Sequence, residues 1–319
     1  MKAAVYKKYG SPDVLNITEV EKPDPNDNEV LIRVFASTVN RTDCAMLRAR
    51  PFIMRFFTGL FNPKKTIPGT DFAGMVEAVG KNVVSFTPGD KVFGFDDTGV
   101  MSHAQYMVFP ENKALATIPE NTSYEQAAAS LEGAHYAYNF INKVKIAKGS
   151  EVLVNGATGA IGSAMVQLLK YFEASITAVG NTKNLDLLKS IGADKVVDYT
   201  EQDFTQSAEK YDFVFDAVGK SSFKKCKPLL KPLGVYISSE LGGRVQNLFL
   251  ALVTPWFGGK KVKFPLPTDI KGSVLLMKKL MEENRFKAVI DRKYPLDEIA
   301  DAFRYVETGE KTGNVVIIQ

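Results

Sequence analysis

The segment EVLVNGATGAIGSAMVQLLKY, residues 151–171, limits the fold more than any other part of the chain. Val152, Leu153 and Val154 form a short aliphatic run, the composition of a strand buried on both faces. From Ile161 onward, Ile161, Ala164, Met165, Leu168, Leu169 and Phe172 recur at helical spacing and define one apolar face. A glycine cluster lies between the two patterns. A strand that turns through glycines into a helix is the start of a crossover unit. Such units require a parallel sheet with helices packed on it.

The rest of the sequence agrees. From about Asn121 strand and helix patterns alternate: SYEQAAASLEGAHYAYNFI, EVLVN, SITAVG, NLDLLKSIGA, KVVDY, YDFVFDAVG, LGVYISSE and KKVKF. The first ~120 residues read differently, as short β-branched or aromatic runs such as VLIRVFAS, DFAGMVEAVG and DKVFGF, bounded by Gly, Pro and Asp. The tail carries two helical patterns and closes on GNVVIIQ, a strand pattern. The expected class is α/β, with a β-rich N-terminal part beside a parallel sheet.

Composition narrows the function. In 319 residues the formal net charge is +4, and the lysines are scattered, so nothing marks a nucleic-acid surface. No apolar run approaches the ~18 residues needed to cross a bilayer, so stable membrane insertion is not expected. The start, MKAAVYKKYG, lacks the features of a signal peptide. Cys44 and Cys226 are the only cysteines, which leaves no disulfide framework and points to a reducing cytoplasm.

The glycine turn carries the first functional expectation. A helix N-terminus has unpaired N–H groups and a partial positive charge, and glycines let a diphosphate approach that backbone. Ala157, Gly159 and Gly162 match the dinucleotide fingerprint with alanine in its first place. A Walker A site is excluded, because no Lys-Ser/Thr pair follows Gly162. An acid at the end of the second strand would hold an adenosine ribose 2′-hydroxyl. Here SITAVG leads instead into Asn181, Thr182 and Lys183, and the first acid, Asp186, lies inside the next helix pattern. Hydroxyls and a cation suit a 2′-phosphate, so NADPH is expected over NADH.

Taken in order, VNRTD, IPGTDFAG, VGKNVVSFTPGDKVFGF, NGATGAIG, SIGADKVVDY, FDAVG and TGNVVII resemble the medium-chain dehydrogenase/reductase superfamily. Its zinc-independent quinone oxidoreductase-like branch, related to zeta-crystallin, is the nearest in pattern. The resemblance implies a GroES-like catalytic domain over residues 1–118 and 268–319, a Rossmann domain inserted at 119–267, and an active site in the interdomain cleft. It also implies a homodimer paired through Rossmann sheet edges. By position, Ala157, Thr158, Gly159, Ala160, Ile161 and Gly162 would cradle the pyrophosphate. Thr182, Lys183 and Tyr199 would meet the 2′-phosphate, and Ala217 and Val218 would border the adenosine half. Ser238 and Ser239 fall near the nicotinamide carboxamide, Asn40 near the nicotinamide ribose, and Asn314 in a tail motif that touches the cofactor.

The superfamily also contains zinc enzymes. At their ligand positions this chain has Asn40 for Cys and Thr70 for His, with Asp71 where the motif has Glu. His103, one of two histidines, reads as a loop residue, and no metal site is expected. Without that Lewis acid, a conjugated acceptor is the easier substrate, since charge arriving with a hydride spreads onto oxygen. The expected activity is therefore NADPH-dependent reduction of a quinone or an α,β-unsaturated carbonyl. The alternatives are metal-free alcohol or carbonyl reduction, and a low-turnover NADPH-binding sensor or scaffold. Tyr136 stands where the family has threonine and offers a phenol as proton donor, with solvent, cofactor contact or core packing as the other readings. Glu132 and His135 form an acid–base pair or a local surface pair. Phe52, Phe56, Phe57 and Trp256, in two aromatic segments broken by arginine, are candidates for an apolar substrate wall. Core, dimer interface and peripheral membrane contact are the competing readings of those segments.

Overall fold

The protein is described by a computed structural model that covers residues 1–52 and 54–319, with the side chains of Phe57 and Arg244 outside the description. It divides into two compact units, residues 1–132 with 269–319, and residues 133–268.

In chain order the first stretch carries β1 (Lys2–Val5), β2 (Asn16–Glu19), β3 (Glu29–Val39), α1 (Arg41–Arg48), α2 (Met54–Thr58), β4 (Asp71–Val79), β5 (Lys91–Phe95), β6 (Tyr106–Pro110), β7 (Leu115–Thr117), α3 (Tyr124–Ala129) and the first residue of α4 (Glu132–Ile141). The middle carries β8 (Glu151–Asn155), α5 (Ala160–Tyr171), β9 (Ser175–Gly180), α6 (Leu185–Ser190), β10 (Lys195–Asp198), β11 (Tyr211–Asp216), α7 (Phe223–Cys226), β12 (Leu230–Ser238), α8 (Gln246–Val253) and β13 (Lys261–Lys263). The chain closes with α9 (Ile270–Glu282), β14 (Ile290–Pro295), α10 (Ile299–Thr308) and β15 (Asn314–Ile318).

In the first unit β3 is the organising strand. It pairs antiparallel with β4, β6 and β15, in a seven-stranded sheet whose main path runs β14-β15-β3-β4-β5-β7. The C-terminal tail therefore returns to the sheet built by the N-terminal residues. Helix α10 covers it with Ile299, Ala302, Phe303 and Val306, a stripe at helical spacing packed on Val39, Leu47, Val315 and Ile317. Burial of Ile299, Phe303 and Val306 contributes about 1.5–3 kcal/mol each. Gly309, at φ 73°, ends the helix in the left-handed region that glycine accepts without strain.

The second unit is one parallel sheet in the order β10-β9-β8-β11-β12-β13. Counted from β8 that order is 3-2-1-4-5-6, the doubly wound arrangement of dinucleotide-binding domains. The order reverses between β8 and β11, so the loops leaving these two strands flank the switch point where such folds bind ligand. The fold is thus a GroES-like β-rich part with a Rossmann domain inserted into it. The EVLVN strand and the helix after the glycines lie where their patterns put them, the helix starting at Ala160. The segment read as one helix, SYEQAAASLEGAHYAYNFI, is two, with a break at Ser130 and Leu131.

Candidate active site

The first candidate region lies in the second unit, at the carboxyl ends of β8, β9, β11 and β12. Gly156 takes φ 77°, turning the chain off β8, and Gly159 caps α5. The first bond across the cap runs from Ser163 N–H to the Gly159 carbonyl at 2.8 Å. The amides of Ala160, Ile161 and Gly162 thus precede the helical ladder, while the Gly159 N–H is held by the Gly156 carbonyl at 3.3 Å. A Cβ on Gly162 would lie 2.1 Å from the Gly156 carbonyl oxygen, so only glycine lets the helix start this close to the turn. A Cβ on Gly159 would meet nothing nearer than 3.8 Å, leaving open space over the turn. Ala157 is fully buried and donates to the Val179 carbonyl at 3.0 Å, tying the turn to β9. Thr158 is half-buried, and its methyl group approaches the end of β9 at Gly180.

Beyond β9, Thr182 and Lys183 sit in an exposed 3₁₀ turn. Tyr199, just past β10, is 55% exposed, and its N–H bonds the Gly180 carbonyl at 3.0 Å. The Thr182 and Thr200 hydroxyls lie 3.0 Å apart. The structure therefore brings Thr182, Lys183 and Tyr199 to the same two strand ends. Asp186 faces Lys189 at 3.9 Å instead.

The loop after β11, with Ala217 and Val218, is built around Asp216, which the sequence did not single out. Its fully buried carboxylate accepts from Gly219 N at 2.9 Å, Ser221 N at 3.0 Å, Asn155 Nδ2 at 2.9 Å and the Tyr236 hydroxyl at 3.1 Å. Ser238 ends β12 buried. Ser239 holds to the Asp216 carbonyl through its N–H at 3.0 Å, while its buried hydroxyl has no hydrogen-bond partner among the described residues. Tyr136 lies on α4, its ring tilted against His135 at 5.6 Å.

The second candidate region is a buried polar cluster wholly within the first unit. Asn40 caps α1 and forms a capping box with Asp43. Its amide also donates to Glu132 Oε2 at 3.1 Å. Glu132 further accepts the Thr70 hydroxyl at 2.5 Å and the Thr42 hydroxyl at 2.7 Å. Beside it, Thr38 donates to Asp71 from both its N–H, at 2.7 Å, and its hydroxyl, at 2.5 Å. Glu132 is 5% exposed and His135 1% exposed, so the surface-pair reading of these two is corrected. His103 does lie in a bend, but fully buried. Its Nε2 is 3.1 Å from the Thr38 carbonyl, and burial pulls its pKa down to about 4.

Burial pushes the carboxyls of Asp43, Asp71 and Glu132 upward, and the Glu132 charge adds to the rise at the other two. Lys311 sets a cation against Glu132. Burial pulls its pKa down to about 8, and the Glu132 charge resists the fall. Together these groups form a proton-holding network under Asn40 and Thr42. Thr42, Glu132 and Lys311 were not read as a set because 90 residues separate Thr42 from Glu132. Only the packing of α1, β4 and the start of α4 unites them. Asn314, at the start of β15, is buried and donates from its side chain to the Val289 carbonyl at 3.1 Å. The remaining candidates are exposed: Phe52 at 64%, Phe56 at 65% and Trp256 at 86%. The Phe57 side chain lies outside the described residues.

Two family profiles match the chain, the alcohol dehydrogenase GroES-like domain over residues 26–120 and the zinc-binding dehydrogenase over residues 191–317. A 2-methylene-furan-3-one reductase of Solanum lycopersicum is 35% identical over 99% of this chain and 79% of its own length. An NADPH-dependent alkenal/one oxidoreductase of Arabidopsis thaliana, from the chloroplast, is 32% identical over 99% and 79%. A chloroplastic quinone-oxidoreductase homolog of Spinacia oleracea is 32% identical over 99% and 98%. Among solved structures, the quinone oxidoreductase of Coxiella burnetii superimposes with a TM-score of 0.88 over 100% of this chain and 99% of its own, at 24% identity, a likeness of fold. The chain belongs to the medium-chain dehydrogenase/reductase superfamily, in its quinone oxidoreductase-like branch.

The zinc in one profile's description can be tested against this chain's own donors. At the positions of the expected ligands, the Asn40 amide and the Thr70 hydroxyl turn hydrogens, not lone pairs, toward Glu132. Among the described residues no three His, Cys, Asp or Glu are arranged to hold a metal ion. This donor set does not fit zinc. The nicotinamide dinucleotide does fit: the space over Gly159 is open at the start of α5, and the Ser239 hydroxyl, unpartnered among the described residues, lies in the loop cluster around the same switch point.

Proposed function

We propose that this protein is an NADPH-dependent reductase of quinones or α,β-unsaturated carbonyls that works without a metal. The observation that carries the reading is the Gly156–Gly162 turn, opened over the N-terminus of α5 at the switch point of a 3-2-1-4-5-6 sheet. The names borne by relatives at 32–35% identity supply the acceptor class.

In this reading the turn from Ala157 to Gly162 cradles the diphosphate, which the amides at the start of α5, Ala160, Ile161 and Gly162, bind. Lys183, Thr182 and Tyr199 receive the 2′-phosphate, and the loop ordered by Asp216 borders the adenosine with Ala217 and Val218. Ser238 and Ser239 meet the carboxamide, and Asn40 and Asn314 the nicotinamide side. NADPH, when bound, supplies the hydride. Glu132 fixes the plane of the Asn40 amide and the direction of the Thr42 hydroxyl. Negative charge that develops on the acceptor oxygen is met by the Tyr136 hydroxyl, our assignment for the proton, with solvent as the alternative source. Phe52, Phe56 and Phe57 are assigned to an apolar wall; Trp256, 86% exposed, is left out of it.

We also propose that two copies pair through a free edge of the six-stranded sheet, β10 or β13. A reducing, cytoplasm-like compartment suits Cys44 and Cys226, both buried and unbridged. Steady-state loss of NADPH with a panel of enones, quinones and simple aldehydes tests the activity. Turnover on the first two classes is expected. Turnover on aldehydes alone favours the carbonyl-reductase alternative, and NADPH binding with no turnover on any acceptor favours the sensor or scaffold. Tyr136→Phe is expected to lower turnover at saturating enone, and an unchanged value removes Tyr136 from the proton step.

A further inference from the structure

Helix α8 and the turn after it, Thr254–Phe257, lead into β13, an edge strand of the six-stranded sheet. One face of α8 is docked. Leu250 and Ala251 pack on the sheet's core, and the buried Asn247 donates to the Glu240 carbonyl at 2.8 Å. The other face is apolar and open, with Phe249 63%, Leu252 66%, Trp256 86% and Phe257 81% exposed. Leu248 and Leu252 lie four residues apart on α8 with Phe249 beside them, and Trp256 and Phe257 follow in the 3₁₀ turn. A helix apolar on both faces requires a cover on the second.

Charge identifies the cover. Between Glu240 and Asp269 the sequence holds no acidic residue, while Lys260, Lys261 and Lys263 directly follow the aromatic turn. Among the described residues none of these three ammonium groups is ion-paired. Lys260 rests on the Lys227 carbonyl at 2.8 Å, and Lys263 on that of Lys143. Lys227 thereby joins the same rim. Protein–protein interface cores are depleted of lysine. Aromatic side chains bordered by lysines are the composition of segments that lie in a lipid headgroup layer.

We propose that the outer face of α8 and the turn Thr254–Phe257 dock on an anionic lipid bilayer. Phe249, Leu252, Trp256 and Phe257 enter the boundary between headgroups and acyl chains, and Lys260 and Lys261 face lipid phosphates. The segment lies on the surface, since no described helix is long and apolar enough to cross a membrane. This docking does not depend on which acceptor is reduced. It would, however, set the enzyme beside acceptors that partition into lipid.

Trp256 is the only tryptophan of the chain and reports on the event directly. The full-length protein is titrated with phosphatidylcholine–phosphatidylglycerol vesicles and with pure phosphatidylcholine vesicles, following Trp256 emission and co-sedimentation. A blue shift and co-sedimentation with the anionic vesicles are expected, both weakened by salt. The double variant Phe249→Ser, Leu252→Ser keeps the reporter and the docked face, and is expected to bind the anionic vesicles at least about tenfold more weakly. Circular dichroism and NADPH binding of that variant establish that it is folded. The proposal is overturned if neither signal changes with anionic vesicles, or if the folded double variant binds them as the parent does. It is equally overturned if Trp256 is already blue-shifted without lipid in a dimer that ignores vesicles, which would give this face to a second copy of the chain.

Discussion

Two glycines of one turn should respond to the same substitution in opposite ways. Gly162→Ala would place a methyl group 2.1 Å from the Gly156 carbonyl oxygen and 2.6 Å from the Ala157 Cα, both backbone atoms. Relief requires the helix to move off the strand by roughly 1 Å, an overpacking cost of about 1–3 kcal/mol, or a fall in melting temperature of roughly 3–10 °C. Gly159→Ala meets nothing nearer than 3.8 Å and keeps an ordinary φ of −74°. Its stability should stay within about 0.5 kcal/mol of the parent, or rise slightly as the unfolded chain loses freedom. Yet its methyl group stands where the backbone must approach a diphosphate. Loss of one charge-assisted amide bond, about 1.5–3 kcal/mol, should weaken NADPH binding about 10- to 100-fold. Scanning fluorimetry measures the first quantity and titration calorimetry the second. If Gly159→Ala binds NADPH as tightly as the parent, the diphosphate does not lie on this turn. If it melts several degrees lower, the geometric reasoning is at fault.

The other expectations concern charge. Lys183→Glu should weaken NADPH roughly tenfold and leave NADH unchanged at low salt, because the side chain is exposed and its effect is screened; calorimetry with the two nucleotides checks this. Glu132→Ala strands the donors of Thr42, Thr70 and Asn40 and should cost roughly 2–4 kcal/mol, part of the loss being offset by relief of Asp43 and Asp71. Because burial raises the Glu132 carboxyl, the native state loses stability as pH climbs from the ordinary carboxyl value to the raised one, and the variant should lack that decline; melting temperatures across pH report it. His103 has the opposite sign. Its pKa falls from 6.5 to about 4, so the unfolded chain binds the extra proton between those values and stability drops as pH falls through them. About 2.5 pH units at about 1.4 kcal/mol each amount to ~3.5 kcal/mol, which His103→Gln should largely spare in melts compared between neutral and acid pH.

How much could be read from residues alone follows from where the determinants lie. The strand, glycine turn and helix at 151–171 are local, so pattern and turn chemistry agree and the element is legible. The approach of Lys183 to Tyr199 follows once β9 and β10 are known to be parallel neighbours. Strand β14 and the short β2, β6 and β7 were not picked out, since few-residue strands are fixed by pairing partners rather than by their own composition. The Glu132 hub was illegible for a related reason. A glutamate at the start of a helix is ordinarily a solvated capping charge, and only the closure of α1 and β4 over it makes it a buried acceptor for three donors. Asp216 was hidden in the same way, its partners being spread from Asn155 to Tyr236.

The central claim is direct reduction of a conjugated acceptor by NADPH held at the glycine turn. NADPH carrying deuterium at both C4 positions of the dihydronicotinamide, incubated with the protein and a small enone, tests it in one experiment. Mass spectrometry and NMR should find the label on the enone's β-carbon, with the solvent proton at the α-carbon. A reduced product with no deuterium, or label retained in the cofactor while the enone is consumed, would contradict the account.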